Sequence, residues 1–424
     1  MTQATYTVTP SSSINKIWRK IQTPLQEGAQ FMSEEWESIG DLKEFDVDWS
    51  TREILFPVDL NSDAGVASIG EGAAEARPMS PNAEEGSVSW ILFNKRFTIS
   101  KTAKWIDQRS RAAMVERQIR FQGMKALQAV GRRFSEYFWG FSTGYMAQTS
   151  TNATQASGTY TIANAYGVSG LGPTTNSFNV ANFFEVGDSV ALVRSGALVT
   201  NAIGVITAIS TTTPSLDITW AGSVDSDADD YIVFANSLEN TTLSGGTDYN
   251  RGLIGILDQM TTASICGISS SSVPKWAPGY SSTAAGRFTG IKYRKMRQGA
   301  YNKGGGKIDT LWWSNGVEND VVDQYEAAVR FNDPFGMEID GTVKTKGVSI
   351  KTSRKVPNGY VFGWDAKKSV KKITLLPKPS GTPVWEDGDK LENSSGFVFS
   401  MDFPVGLLTT NRGNMAYLSN QTEQ

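Results

Sequence analysis

The feature that most constrains this chain is the proline-free run Lys101 to Trp139. Its apolar residues Ile106, Ala113, Met114, Phe121, Met124, Leu127, Phe134 and Phe138 recur at the threes, fours and sevens of one helical face. At about 1.5 Å per residue such a helix is on the order of 55 Å long. That exceeds the depth of an ordinary globule, so the run predicts a spine along which other elements are arranged. Ser100 or Thr102 can cap its start, and Gly140 to Gly144 end it. The polar side of the spine is basic: Lys101, Lys104, Arg109, Arg111, Arg117, Arg120, Lys125, Arg132 and Arg133 stand against Asp107, Glu116 and Glu136. Such a bias usually marks a solvated face. The segment just upstream carries the opposite sign, which makes an interface the alternative.

That upstream segment is built differently. Arg52 to Leu60 has strand character, with Pro57 suggesting an edge or a bend. Asn61 to Gly86 is rich in Gly, Ala and Pro, and Ser87 to Ile99 alternates through Val88, Trp90, Leu92 and Phe97. Strand, small-residue excursion and returning strand describe an extended β-hairpin. From Asp59 to Ser89 the charges are Asp59, Asp63, Glu71, Glu75, Glu84 and Glu85 against Arg77. A flap so poor in bulky side chains has little to pack on in its own core, and a loop of this length is uncommon unless functional. Lying across another molecule resolves the difficulty.

Composition closes several routes. A chain of 424 residues can bury two or three cores, and 39% hydrophobic with 20% charged residues is neither a disordered polymer nor a membrane protein. No stretch approaches the roughly 18 apolar residues of a membrane span. Met1 to Ser13 lacks the layout of a secretion signal, which predicts cytoplasmic synthesis. The single Cys266 excludes an intrachain disulfide and reads as a small buried hydrophobe. With no histidine, the usual general base and the commonest zinc ligand are missing. No nucleophile, base and orienter converge in sequence, so no catalytic residues, metal ligands or cofactors are assigned. The net charge of −3 argues against a dedicated nucleic-acid binder.

Beyond the spine, Met146 to Gly172 is Ser, Thr, Asn and Gly rich and reads as linker or irregular surface. Phe178 to Ala235 gives closely spaced strand signals (Ser189–Arg194, Ala202–Ile209, Leu216–Trp220, Tyr231–Phe234), which predict a small inserted barrel or sandwich. Asp225, Asp227, Asp229 and Asp230 are spaced like the start of a calcium loop. Asp230 stands where that loop turns on glycine, and Asn236 where its bidentate glutamate closes it. An acidic hairpin tip is the better reading. Phe288 to Tyr301 is a basic helix ended by Gly304 to Gly306, which fail the phosphate-loop pattern at both ends. Its Lys292, Arg294, Lys295 and Arg297 either face solvent or touch nucleic acid or a shell lumen. Ile308 to Trp313 is a strand whose Trp312 and Trp313 read as core, and Val317 to Phe331 is an amphipathic helix. Further strands are expected at Val343–Ile350, Tyr360–Trp364, Lys372–Leu376, Gly396–Phe403 and Met415–Leu418.

The order of these parts resembles the major capsid proteins of tailed bacteriophages with the HK97-type fold. The likeness is carried by the arm, the flap and the strand Gly86–Ser100 before the spine. It continues in Gly305–Ser314 before a helix and in the run Gly347–Trp364, and it leaves out the β insertion. The resemblance implies an α+β HK97-like fold with an inserted β domain. The expected parts are an N-terminal arm (1–57), an E-loop hairpin (58–100), the spine of a P domain (101–148), the insertion (149–245) and an A domain (246–371). Returning P-domain strands (372–404) and a final A-domain segment (405–424) complete it.

The function so implied is a non-enzymatic shell subunit that forms hexamers and pentamers and closes an icosahedral head around double-stranded DNA. Assembly in the host cytoplasm would place it in the virion capsid. Its partners would be copies of itself, with a separate scaffold, portal and cement protein as further candidates and no membrane. The intersubunit residues would be Glu71, Glu75, Arg77, Glu84 and Glu85 of the flap, set against Arg109, Arg117, Arg120, Arg132 and Arg133 of a neighbour's spine. No lysine lies between Lys43 and Lys95, so the lysine–asparagine cross-link of some family members has no donor in the flap. An encapsulin-like compartment is the alternative within the fold, and a β-rich adhesin or carbohydrate-binding protein is the alternative outside it.

Overall fold

A computed structural model describes residues 34–42, 45–48, 53–59, 83–100, 113–167, 183–210, 214–235, 252–329, 348–374, 384–385, 389–390 and 396–423. In chain order its main elements begin with β1 (Asp46–Asp48), β2 (Glu53–Asp59), β3 (Ala83–Ser89), β4 (Ile91–Ser100) and the helix α1 (Ala113–Trp139). Then come β5 (Ala147–Thr149), β6 (Ala153–Ala165), β7 (Ser189–Arg194), β8 (Ala197–Ser210), β9 (Ser215–Ser226), β10 (Tyr231–Phe234) and α2 (Ile256–Thr261). The last third holds β11 (Tyr280–Ser282), α3 (Gly290–Gly304), β12 (Thr310–Trp313), α4 (Asn315–Val329), β13 (Ser349–Thr352), β14 (Val361–Trp364), β15 (Val370–Thr374), β16 (Gly396–Thr409) and β17 (Ala416–Leu418). The chain forms two compact units. The first comprises 1–39, 90–135 and 372–406, and the second 40–89, 136–371 and 407–424.

In the first unit β4 pairs antiparallel with β16 over ten residues, from Ile91 opposite Val405 to Ser100 opposite Gly396. Strands far apart in sequence are thereby joined, and Phe97 stacks on Phe399 with ring centroids 5.3 Å apart. Trp36 packs edge-on against Phe134 of α1 at 5.0 Å and against Phe403 at 5.1 Å. The Lys372 ammonium donates to the Trp36 carbonyl at 2.6 Å and sits 4.0 Å from that ring's centroid. A buried cation is stabilised there by an acceptor and a π face together.

Helix α1 confirms the spine from Ala113 onward; Lys101 to Ala112 lie outside the described residues. Its buried stripe is Gly123, Ala126, Leu127, Val130, Phe134, Tyr137 and Phe138, at threes and fours. One residue placed on that face by sequence is elsewhere: Phe121 is 62% exposed, with the Lys125 ammonium 5.8 Å from its ring centroid. The last turn, Glu136 to Trp139, is buried on all sides.

The segment Ser87 to Ile99, read as one strand, is two. β3 stops at Ser89 and β4 begins at Ile91, and they pair with different partners. β1, β2 and β3 form an antiparallel sheet in the second unit, and Ile54, Phe56, Val58 and Val88 are buried there. The base of the hairpin therefore has an apolar face of its own. Phe56 pairs with Gly86, and a Cβ on Gly86 would stand 2.7 Å from Phe56 Cζ, so only glycine lets the ring lie across the strand. Pro57 pairs with Glu85 and is exposed; β1 reaches only to Leu55, so among the described residues Pro57 has a neighbouring strand on one side only, the edge position where proline is tolerated.

The stretch expected to form an inserted β domain holds a closed antiparallel barrel of six strands in the order β9-β6-β5-β10-β7-β8. Its Ser- and Thr-rich opening segment is no linker, which corrects the sequence reading. Ala147–Thr149 and the thirteen-residue β6 are barrel strands, because alternation of small polar residues with Tyr160 and Ile162 suffices once neighbours supply the bulk. Tyr160 and Trp220 meet at right angles, and the Trp220 indole N–H donates to the tyrosine hydroxyl at 2.8 Å, so both polar tips are satisfied in the interior. Ser195 (φ 49°) and Gly196 (φ 82°) make the two-residue turn between β7 and β8 with both central residues left-handed, the geometry whose twist suits a hairpin.

A five-stranded sheet of the second unit is mixed, in the order β11-β17-β14-β12-β13, with the outer pairs parallel. One face buries Leu311, Trp313, Val361, Ala416 and Leu418 under Met296 and Ala300 of α3 and Val317 and Val321 of α4. Trp312 and Phe362, which point to the other face, meet Trp139 at 5.3 and 5.5 Å. Trp312 and Trp313 are thus core on opposite faces, as sequence predicts.

Candidate assembly surfaces

The acidic flap reaches the described structure through β3, where Glu84 lies opposite Val58 and Glu85 opposite Pro57, with the Glu85 side chain exposed. Glu71, Glu75 and Arg77 lie outside the described residues. Of the basic set, Arg117, Arg120, Arg132 and Arg133 share α1, the last two half-exposed, and Arg109 lies outside the described residues. Sequence therefore placed acids on one element and bases on another; their pairing across copies belongs to the function proposed below.

The barrel is anchored to the mixed-sheet region by polar contacts that the sequence did not reveal. Glu136, in the last turn of α1, accepts from the Lys355 ammonium at 3.0 Å, with side chains 0% and 6% exposed. The Tyr166 hydroxyl, one residue past β6, lies 3.1 Å from the Lys355 carbonyl and 3.3 Å from the Glu136 carbonyl. Lys355 also lies 5.4 Å from the Phe183 ring centroid. The charged partners are 219 residues apart in sequence, so no local spacing could have announced the pair.

The acidic stretch after β9 is not a hairpin tip, because β9 and β10 are not neighbours in the barrel. Asp230 is fully buried. It receives the Arg194 guanidinium at 2.7 Å and the Asp227 backbone N–H at 2.8 Å, while Arg194 also pairs with Asp227 at 2.9 Å. The hydrogen bond to Asp230 raises the Arg194 pKa, with the neighbouring aspartates adding to it. The loop is thus closed by an arginine. Among the described residues no group of carboxylates or thiols is arranged to hold a metal ion.

Helix α3 ends at the glycines its sequence suggests, and its start is capped by a threonine that the sequence reading places inside the helix. Thr289 accepts from the Lys292 N–H at its start, and Gly305 (φ 66°) closes its end through a bond to the Tyr301 carbonyl. A Cβ on Gly299 would stand 2.6 Å from the Gly279 carbonyl, so glycine lets the helix press onto the approach to β11. Lys292 turns inward to Gln421 Oε1 at 2.6 Å and the Gly286 carbonyl at 3.0 Å, and partial burial lowers its pKa. Arg294, Lys295 and Arg297 are exposed. Cys266 is buried, as its sequence role predicts, and burial pushes its thiol up to about 12.

The class of architecture is therefore α+β: among the described residues, a long helix, a three-stranded hairpin sheet, a closed barrel, a six-stranded sheet, a mixed five-stranded sheet and a two-stranded ribbon. Solved structures similar to this chain over more than nine tenths of its length include phage capsids and the capsid of a GTA particle. The capsid asymmetric unit of cyanophage A-1(L) is 11% identical, with 91% of each chain covered and a TM-score of 0.48. The capsid of an empty GTA particle is 10% identical, covering 92% of this chain and 90% of that one at 0.45. The procapsid of satellite phage P4 is 7% identical, covering 95% and 91% at 0.42. No family model and no curated protein matches the sequence.

Proposed function

We propose that this chain is the major subunit of a phage head, assembling into hexamers and pentamers that close an icosahedral shell around double-stranded DNA. The observation that carries the reading is the order of parts. A hairpin leads across Trp90 into β4, the long helix follows, and a strand from the far end of the chain returns to pair with β4 along its whole length. That order is what the resemblance to the HK97-type capsid proteins requires. Function here is interface physics: modest contacts repeated by symmetry make a closed particle stable although each pair is weak.

The acidic flap lies over the basic spine of a neighbouring copy, where opposite charge sets register more than it adds affinity. Scaffold, portal and cement proteins are the partners such a shell would use, and the enclosed DNA is held without sequence readout. Negative-stain microscopy of the expressed chain, alone and with a scaffold protein, tests this reading. Closed particles of uniform size support it; a chain that stays monomeric under every condition refutes it. Replacing Glu84 and Glu85 together by lysine should abolish closed particles while leaving the far-ultraviolet spectrum unchanged. Normal shells from that variant would remove the flap from the interface.

A further inference from the structure

The net charge of −3 conceals one stretch of a single sign. From Gln259 to Ile308 the sequence carries eight basic residues and no acidic one. Helix α3 lies within it. A helix that merely faces water gains stability by interleaving acids with its bases at steps of three and four. α3 has no acid at all, and Arg294 and Arg297 stand three apart as like charges.

Tertiary contacts decide which of these cations are available. Arg287 is paired with Asp320 at 3.1 Å. Lys292 turns inward to Gln421, and Lys303 donates to the Pro278 carbonyl at 3.3 Å. Arg294, Lys295 and Arg297 are exposed, and no carboxylate of the described residues pairs with any of them. The Arg297 guanidinium lies 5.9 Å from the Tyr293 ring centroid. That contact steadies the group without neutralising it.

The rest of the outward face selects the partner. Gln298 and Asn302 are exposed between Lys295 and the arginines, so the centre of the face offers donors and no carboxylate. Ile291 and Tyr301, 63% and 68% exposed, stand at its two ends, about 15 Å apart along the axis. A protein interface has the opposite plan, an apolar core within a polar rim. Arginine, lysine, glutamine, asparagine and tyrosine are instead the side chains that contact phosphate oxygens.

We infer that the outward face of α3 binds the phosphate backbone of double-stranded DNA without reading its sequence. A fifteen-residue helix is roughly 22 Å long. Over that length a duplex presents on the order of a dozen charges, so each cation finds a phosphate. The inference rests on the phage-head function proposed above and names the surface by which the shell touches its contents.

Fluorescence anisotropy of a short labelled duplex, titrated with the unassembled full chain at several salt concentrations, tests it. Three phosphate contacts give a slope of log K against log salt of about −2.7. The triple variant Arg294→Gln, Lys295→Gln, Arg297→Gln, its fold confirmed by circular dichroism, should lose at least about a hundredfold in affinity at about 0.1 M salt, and most of that slope. A control with Arg354→Gln, Lys367→Gln and Lys368→Gln removes the same charge from exposed positions off the helix. It should bind within about threefold of wild type, because salt screens charges that do not touch the duplex. AT-rich and GC-rich duplexes should bind alike.

An equal loss in both variants, or a wild-type chain that does not bind at that salt, would overturn the site; closed wild-type particles would then leave the phage-head function standing. An α3 variant that keeps wild-type affinity for the duplex but no longer closes into shells would overturn it in favour of a protein partner. Duplex binding that depends on α3, in a chain that never closes into particles, would refute the phage-head function and leave the surface standing.

Discussion

Removing the ammonium from Lys355 while leaving Glu136 in place is the sharpest test of how the barrel is held. Lys355→Met keeps most of the side-chain volume and takes the ammonium, 3.0 Å away, from a carboxylate that is 0% exposed. Breaking a buried pair on one side costs about 3–5 kcal/mol. The second unit holds about 300 residues. At about 2.1 cal/mol/K of unfolding entropy per residue, its midpoint should fall by about 5–8 °C. The assay is thermal and urea denaturation of unassembled protein followed by tryptophan fluorescence. Trp139, Trp312 and Trp364, clustered in the same unit, report its unfolding. The double variant Glu136→Leu with Lys355→Met should recover most of the loss, because two apolar side chains carry no desolvation cost. A single variant losing less than about 1 kcal/mol would place the pair in the range of solvent-exposed bridges. A double variant as unstable as the single would show that the loss comes from packing and not from a stranded charge.

Two further perturbations follow from buried groups. Cys266, with its thiol pushed up to about 12 by burial, should resist a thiol reagent at pH 8 in the native protein and react at once in denaturant. Because the folded pKa lies above the ordinary value, the thiol contributes no pH dependence below about pH 8 and begins to favour the folded state less only above it, so stability should decline at strongly alkaline pH. Labelling of native protein would contradict the burial. Asn414→Ala removes the side-chain oxygen that accepts the Gly306 N–H at 2.7 Å in a buried setting. It should cost about 1–3 kcal/mol in urea unfolding, and an unchanged midpoint would show that water takes the bond over.

Local periodicity made much of the second half readable. α3 ends at Gly305, and Ser195-Gly196 turns as left-handed residues must. The same signals misplaced Phe121, because steps of three, four and seven let a pattern drift around the helix, and Phe121 falls on the side away from the buried stripe Gly123 to Phe138. They also hid β6, whose Thr and Ser residues look like linker until strands from elsewhere in the chain close around them.

The sequence by itself determined the helix of the spine from Ala113 onward, most of the strands, the glycine stop of α3, the absence of histidine and the opposite signs of successive segments, since each is a property of neighbours along the chain. Only the tertiary structure decided that Ser87 to Ile99 divides at Trp90 between two sheets and that Lys355 is buried against Glu136. It also decided that Asp230 closes on Arg194 and that α3 and α4 share one core over one face of the mixed sheet. Those facts depend on which distant segments meet, and burial, which gives a charge or a turn its energetic meaning, exists only once they have met.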